Sequence, residues 1–227
     1  ELRDAAGSLL ARVDEAAVTL SPWDLLGGRV LAEGLAIHGV EATVTRRPDG
    51  SLDGVLGGGG DGQGALRDRL ELLFDRPAVA ALRRVTLDGL RIGYEDERAG
   101  RAWTLDAAAR LDLAADEVRI TGEASLASDG GAATRGHIDY RGQRDGTEAE
   151  FGMTLSAVTP GDVASQVPAL DSLSLLDAPV SLAIRGRTDE AGRLGLLSVA
   201  VKVGEGRLSL PGGAPPLALD AARAYLS

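Results

Sequence analysis

Val85-Thr86-Leu87-Asp88-Gly89-Leu90-Arg91-Ile92-Gly93-Tyr94 is the stretch on which the fold turns. Val85 and Leu87 alternate with other residues, the phase slips at Asp88-Gly89, and Leu90, Ile92 and Tyr94 resume the alternation. A period of two puts successive side chains on opposite faces of a strand. Short alternating runs of the same kind extend outward in both directions. Leu31, Leu35 and Ile37 share a face that Glu33 interrupts. Leu111 and Leu113, Val118 and Ile120, Ile138 and Tyr140, and Phe151, Met153 and Leu155 follow the rule. So do Leu182 and Ile184, Val199, Val201 and Val203, and Leu208 and Leu210.

Between the runs stand turn signals: Asp49-Gly50, Ala99-Gly100, Asp129-Gly130, Asp145-Gly146, Ala191-Gly192 and Glu205-Gly206. Asp-Gly between alternating runs favours a hairpin, because both central residues tolerate positive φ. The spacing predicts an antiparallel meander, mainly β, with one apolar and one polar face. A weak internal echo pairs Glu33-Gly34-Leu35-Ala36-Ile37 with Asp88-Gly89-Leu90-Arg91-Ile92, as in a repeating sheet where glycine relieves the twist.

Helix is scarce. Residues 64–76 carry Leu66, Leu70, Leu73 and Phe74 on one stripe opposite Arg67, Asp68 and Glu71, with Pro77 as terminator. A second short helix, about residues 160–171, begins at Thr159 as N-cap with Pro160 at the first turn and Asp162 close behind. Val163, Val167 and Leu170 form its apolar stripe, and Pro168 shortens or kinks it. Residues 54–64, with four consecutive glycines at 57–60, read as a flexible surface loop.

The composition narrows the function. Apolar residues make up 44% of the 227 and charged residues 26%, as in a folded chain. The 31 glycines fit many tight turns, and with aromatics at 3% the core must be aliphatic. A net charge of −10 argues against nucleic acid and against direct adsorption to an anionic membrane face. Lys202 is the one lysine among 24 basic residues, which reads as genome composition. Without cysteine there are no disulfides or thiolate metal sites. No run of 18 apolar residues and no signal peptide occurs, and Glu1-Leu2-Arg3-Asp4 reads as the inside of an element. Any membrane anchor is therefore expected upstream.

No chemistry-bearing motif stands out. His38 and His137 lack metal-ligand spacing and read as structural or exposed strand residues. The glycine run lacks the Gly-Lys-Ser/Thr of a phosphate loop, and no G-x-S-x-G elbow occurs. Glu95-Asp96-Glu97 reads as a solvated charge run beside a turn, and the Asp-Gly segments lack the alternating ligands of a calcium loop. The expectation is a protein that is not an enzyme and needs no cofactor or metal.

Four stretches carry a family resemblance: Asp4–Val13 leading to Val18–Ser21; Leu25-Leu26-Gly27-Gly28-Arg29 through Leu35–Ile37 to Val44–Leu52; Val85–Ile92 with Trp103; and Leu155–Pro160 followed by Asp177–Leu182. In this order they resemble the periplasmic part of AsmA-like envelope proteins, particularly the YhdP and TamB relatives. The resemblance implies an elongated, twisted antiparallel sheet folded into a groove (a taco or half-barrel), with residues 1–227 as one segment of it. It also implies a bridge-like conduit carrying phospholipids between inner and outer membranes. Implied partners are phospholipid acyl chains, the remainder of the same long chain and envelope membrane proteins. The implied location is periplasmic, tethered to the inner membrane by an N-terminal segment. The transferable role is lining the groove, with Leu35, Ile37, Leu90, Ile92, Leu111, Leu113, Ile120, Phe151, Met153, Leu155, Leu182, Ile184, Val199, Val201, Val203, Leu208 and Leu210 as candidates. The alternative is a scaffolding module in envelope assembly whose apolar face is closed by its own chain.

Overall fold

The computed structural model describes residues 2–3, 9–54, 81–128, 131–144, 146–166, 168–210 and 215–226. The chain divides into two compact units, Glu1–Gly122 and Glu123–Ser227. In the first unit lie β1 (Leu2–Arg3), β2 (Leu9–Leu20), α1 (Pro22–Leu26), β3 (Ala32–Arg46), β4 (Leu52–Gly54), β5 (Arg84–Asp96) and β6 (Arg101–Leu113). Strand β7 (Glu117–Ser128) starts in this unit and ends in the second. The order is β1-β2-β3-β5-β6-β7, with β4 beside the end of β3.

The second unit continues with β8 (Thr134–Gln143), β9 (Ala149–Val158), α2 (Pro160–Gln166), a 3-10 segment (Pro168–Leu175) and β10 (Leu176–Asp177). It then adds β11 (Val180–Thr188), β12 (Leu194–Val203), β13 (Gly206–Leu208), β14 (Leu217–Leu219) and β15 (Ala222–Leu226). Its main sheet runs β7-β8-β9-β11-β12-β15, and β10-β13-β14 form a separate small sheet. The fold is mainly β and mostly antiparallel, as the alternation predicts.

One ladder departs from the meander. Strands β3 and β5 are parallel, from Gly34 opposite Arg84 to Arg46 opposite Asp96. Parallel neighbours need a crossover and not a hairpin. Residues 47–83 separate the two strands, which is long enough for one. The expected helix at 64–76 falls within that stretch, outside the described residues, as does the expected loop at 54–64 apart from Gly54 at the end of β4.

The parallel register also relocates the internal echo. Asp88-Gly89 lies beside His38-Gly39 and not beside Glu33-Gly34. Gly39 and Gly89 have φ of 63° and 65°, and a Cβ on Gly89 would meet the backbone nitrogen of Gly39 at 3.5 Å. Between β5 and β6 the register shifts here by one residue: Leu87 faces Ala109, whereas Leu90 faces Ala107. The extra residue in β5 is a bulge, and it keeps Leu87 and Leu90 on one face despite their odd spacing.

Next to the β5–β6 turn the charge run is only partly solvated. Glu95 and Glu97 are exposed, but Asp96 is 2% exposed. Its Oδ1 accepts backbone hydrogen bonds from Arg98 at 2.9 Å and Ala99 at 3.2 Å, and Oδ2 lies 3.5 Å from Arg46 Nη1. Asp96 thus closes the hairpin from inside, the Asx-turn use of a short acidic side chain.

The helices differ in detail from the expectation. α2 stops at Gln166, before Pro168, and a 3-10 segment replaces its second half to Leu175. Helix α1 was not expected. Ser21 caps it by accepting from the Asp24 backbone N–H at 3.4 Å, with Pro22 in the first turn. Expected turn glycines Gly50, Gly100 and Gly192 have φ of 88°, 60° and 72°. Residues 129–130 and 145 of the other expected turns lie outside the described residues.

Gly89→Ala should lower unfolding free energy by about 1–2 kcal/mol, the cost of a left-handed L residue, read from urea denaturation. Gly39→Ala should cost more, because its Cβ would also run into the Asp14 carboxylate. Gly93→Ala, where a Cβ meets nothing nearer than Thr43 at 3.9 Å, serves as the control and should be close to neutral. Equal curves for all three variants would remove the bulge as a structural requirement.

Candidate functional site

Cross-strand pairing assembles the alternating residues into rows. In the first unit Val18, Leu35, Val85 and Leu111 form one row across β2, β3, β5 and β6. Ala16, Ile37, Leu87 and Ala109 form the next, then Val13, Val40, Leu90 and Ala107, then Ala11, Ala42, Ile92 and Leu105. Val44, Tyr94 and Trp103 follow beyond them. Each row carries only apolar side chains apart from the Tyr94 hydroxyl.

Among the described residues this face is sealed at the Val44–Trp103 end. Val44 and Trp103 are buried, and the Tyr94 and Trp103 rings lie 5.6 Å apart at a 37° tilt. Away from that row Leu35, Ile37, Leu90, Ile92 and Leu111 are half-buried, while Val13 and Val18 are exposed. Leu113 is half-buried at the end of β6, and Ile120 is half-buried on β7, in phase with Val118 and out of phase with Arg119.

The second unit repeats the pattern. Gly136, Leu155, Leu182, Val201 and Ala224 form one row across β8, β9, β11, β12 and β15, and Ile138, Met153, Ile184, Val199 and Leu226 form the next. Tyr140, Phe151, Gly186 and Leu197 make a third, in which the Phe151 ring occupies the space over Gly186. Val180, Val203 and Ala222 extend the face at the other end. Phe151, Met153, Leu155, Leu182, Ile184, Val199, Val201 and Val203 are all half-buried.

Two candidates fall elsewhere. Leu208 pairs with Leu176 and Leu217 in the small sheet, and Leu210 is exposed beyond β13. The chain leaves the large sheet after Val203 at Gly204-Glu205 and rejoins it only at β15, so the alternation of Leu208 and Leu210 belongs to another surface. Sequence reasoning missed the β2 contribution and Val40, Ala42, Val44 and Leu105. The alternation of Val40, Ala42 and Val44 after Gly39 was the available signal.

The opposite faces hold most of the charges, and in several rows their signs alternate. Arg12, Glu41, Arg91 and Asp106 form a row across four strands, with Arg91 Nε 2.8 Å from Asp106 Oδ1. Asp112 accepts from Arg110 Nε at 2.6 Å and Arg84 Nε at 2.8 Å. In the second unit Arg187 reaches Glu148 at 2.9 Å and Glu150 at 3.6 Å. His38 and His137 also sit on strands here with half-exposed side chains, each near a carboxylate at 3.9 Å. Among the described residues no cluster of three or more His, Cys, Asp or Glu is placed to hold a metal ion. Among them, too, no helix is long and apolar enough to cross a membrane.

Known proteins offer no match to this chain, either among family models or among curated sequences. What the site does must therefore be argued from its own geometry.

The polar face has a pH signature. Hydrogen bonds from Arg110 and then Arg84 hold the Asp112 carboxyl below its ordinary value of 3.8. A depressed folded-state pKa contributes stability that is complete above that ordinary value and fades as pH falls through the folded-state value. Asp112→Asn should therefore melt below the parent chain near neutral pH, and the difference should shrink below pH 3.8. A gap of constant size across that range would detach the carboxylate's charge from stability.

Proposed function

We propose that the half-open apolar faces hold the acyl chains of phospholipids, and that the chain is part of a bridge-like conduit across the periplasm. The observation that carries this reading is the division of labour between the faces. Aliphatic rows continue across four or five strands without a charged side chain, and they remain half-exposed. A contiguous exposed apolar surface marks an interaction site. Each acyl methylene taken from water onto such a surface gains about 0.8 kcal/mol. Few aromatics leave the rows smooth, so binding needs no specific polar contact and chains can slide along them.

The reading is of a carrier and not a catalyst. The carboxylates sit mainly in ion-pair ladders and turns, where Asp112 is bonded to two arginines and Asp189 to the backbone of Ala191 and Arg193. The resemblance to AsmA-like proteins supports the same role, with periplasmic placement, an upstream inner-membrane tether and envelope partners. The competing role, a scaffold module whose face is closed by its own chain, is an outcome of the same experiment.

Native mass spectrometry with lipid extraction tests the proposal on the full chain purified without detergent. Phospholipid should co-purify at more than one molecule per chain. Ile92→Asp and Val201→Asp place a carboxylate in the middle of one row in each unit. They should lower the bound lipid at least about tenfold, since burying an unpaired charge costs several kcal/mol, while cooperative melting persists. An apo mass with a lipid-independent melt would instead establish the scaffold role.

A further inference from the structure

On the polar face of the second unit, Lys202 of β12 stands directly opposite Arg223 of β15. Ser181 of β11 is the next residue in the same row. Like charges directly opposed on antiparallel strands repel. Several arginines elsewhere on the polar faces meet carboxylates, as Arg91 meets Asp106 and Arg187 meets Glu148 and Glu150. Lys202 and Arg223 meet none among the described residues.

The two cations line an open cavity of about 310 Å³ together with Thr154, Ser156, Ser181 and Tyr225, and Leu155, Leu182, Ala183, Ala200 and Val201 complete its lining. No aspartate or glutamate contributes to its wall. The site therefore combines two uncompensated positive charges with hydroxyl donors from β9, β11 and β15, in a chain whose net charge is −10.

We propose that this cavity binds a phosphate group. A phosphate carries more than one acceptor oxygen and negative charge to set against both cations, and charge-assisted hydrogen bonds to lysine and arginine are the strong ones. Binding relieves the repulsion across β12 and β15. The inference does not rest on the lipid reading: the Lys202 side chain alternates with that of Val201, and the cations and hydroxyls bind phosphate whether or not the apolar rows hold acyl chains. The phosphate comes from a soluble phosphate ester or from a lipid headgroup at a membrane surface.

Lys202 is the single lysine, so lysine-selective ¹³C labelling gives one reporter at the site. Inorganic phosphate, titrated against chloride at constant ionic strength, should shift that signal saturably. Arg223→Gln should raise the half-saturating concentration by about tenfold, as expected for losing one hydrogen bond to a charged group. Lys202→Gln, followed by calorimetry with inorganic phosphate, should weaken binding similarly and leaves β15 untouched. A shift that never saturates, or one unaltered in the Arg223 variant together with full binding by the Lys202 variant, overturns the proposal. Sedimentation with phosphatidylcholine vesicles containing phosphatidylglycerol separates the sources. Co-sedimentation lost in the double variant assigns a headgroup, and saturable phosphate binding without co-sedimentation assigns a soluble ester.

Discussion

The first unit depends on the parallel register of β3 on β5. Because Leu35 meets Val85 and Val44 meets Tyr94, the apolar positions of β2, β3, β5 and β6 fall on one face without interruption. A slip of one residue would send every side chain of β5 to the wrong face. Two features pin the register. The left-handed glycines Gly39 and Gly89 sit side by side, both at a φ that disfavours an ordinary residue, and at Gly39 a Cβ would also run into Asp14. At the far end Arg46 must reach the buried Asp96, which is also tied to the turn that starts β6.

The ion pairs on the polar faces play a different part from the apolar rows. Most involve side chains that are half-exposed, and such pairs contribute about 0–1 kcal/mol each. Their value lies in selection, because opposite charges favour neighbours in the native register and penalise slipped ones. The polar face thus reinforces a register that the apolar face requires.

Much of this was legible from residue order. Strands, turn glycines and the phase slip at Asp88-Gly89 follow from local chemistry, since alternation and positive φ are written in neighbouring residues. The parallel pairing was not, because it depends on a crossover whose geometry alternation does not encode. Asp96 looked like its solvated neighbours Glu95 and Glu97, and only the turn and Arg46 make its burial tolerable. Helix α1 has a cap in Ser21-Pro22, yet five residues are too few to show a periodicity. Leu208 alternated correctly, but on a strand that had already left the large sheet. The apolar lining was readable wherever strand and phase were known, and became ambiguous where pairing changed partners.

The same connectivity sets the order in which contacts can form. In the second unit β8 meets β9 and β11 meets β12, each across a short turn, so much of that sheet can grow by local hairpins. In the first unit β5 and β6 close just as readily, but β3 can join them only after residues 47–83 have been brought round. Non-local pairing must meet its loop-closure entropy before its contacts form, which makes it slow. Until β3 docks, β5 stands as an exposed apolar edge, and the interval before docking is when the chain is most open to pairing with another copy of itself.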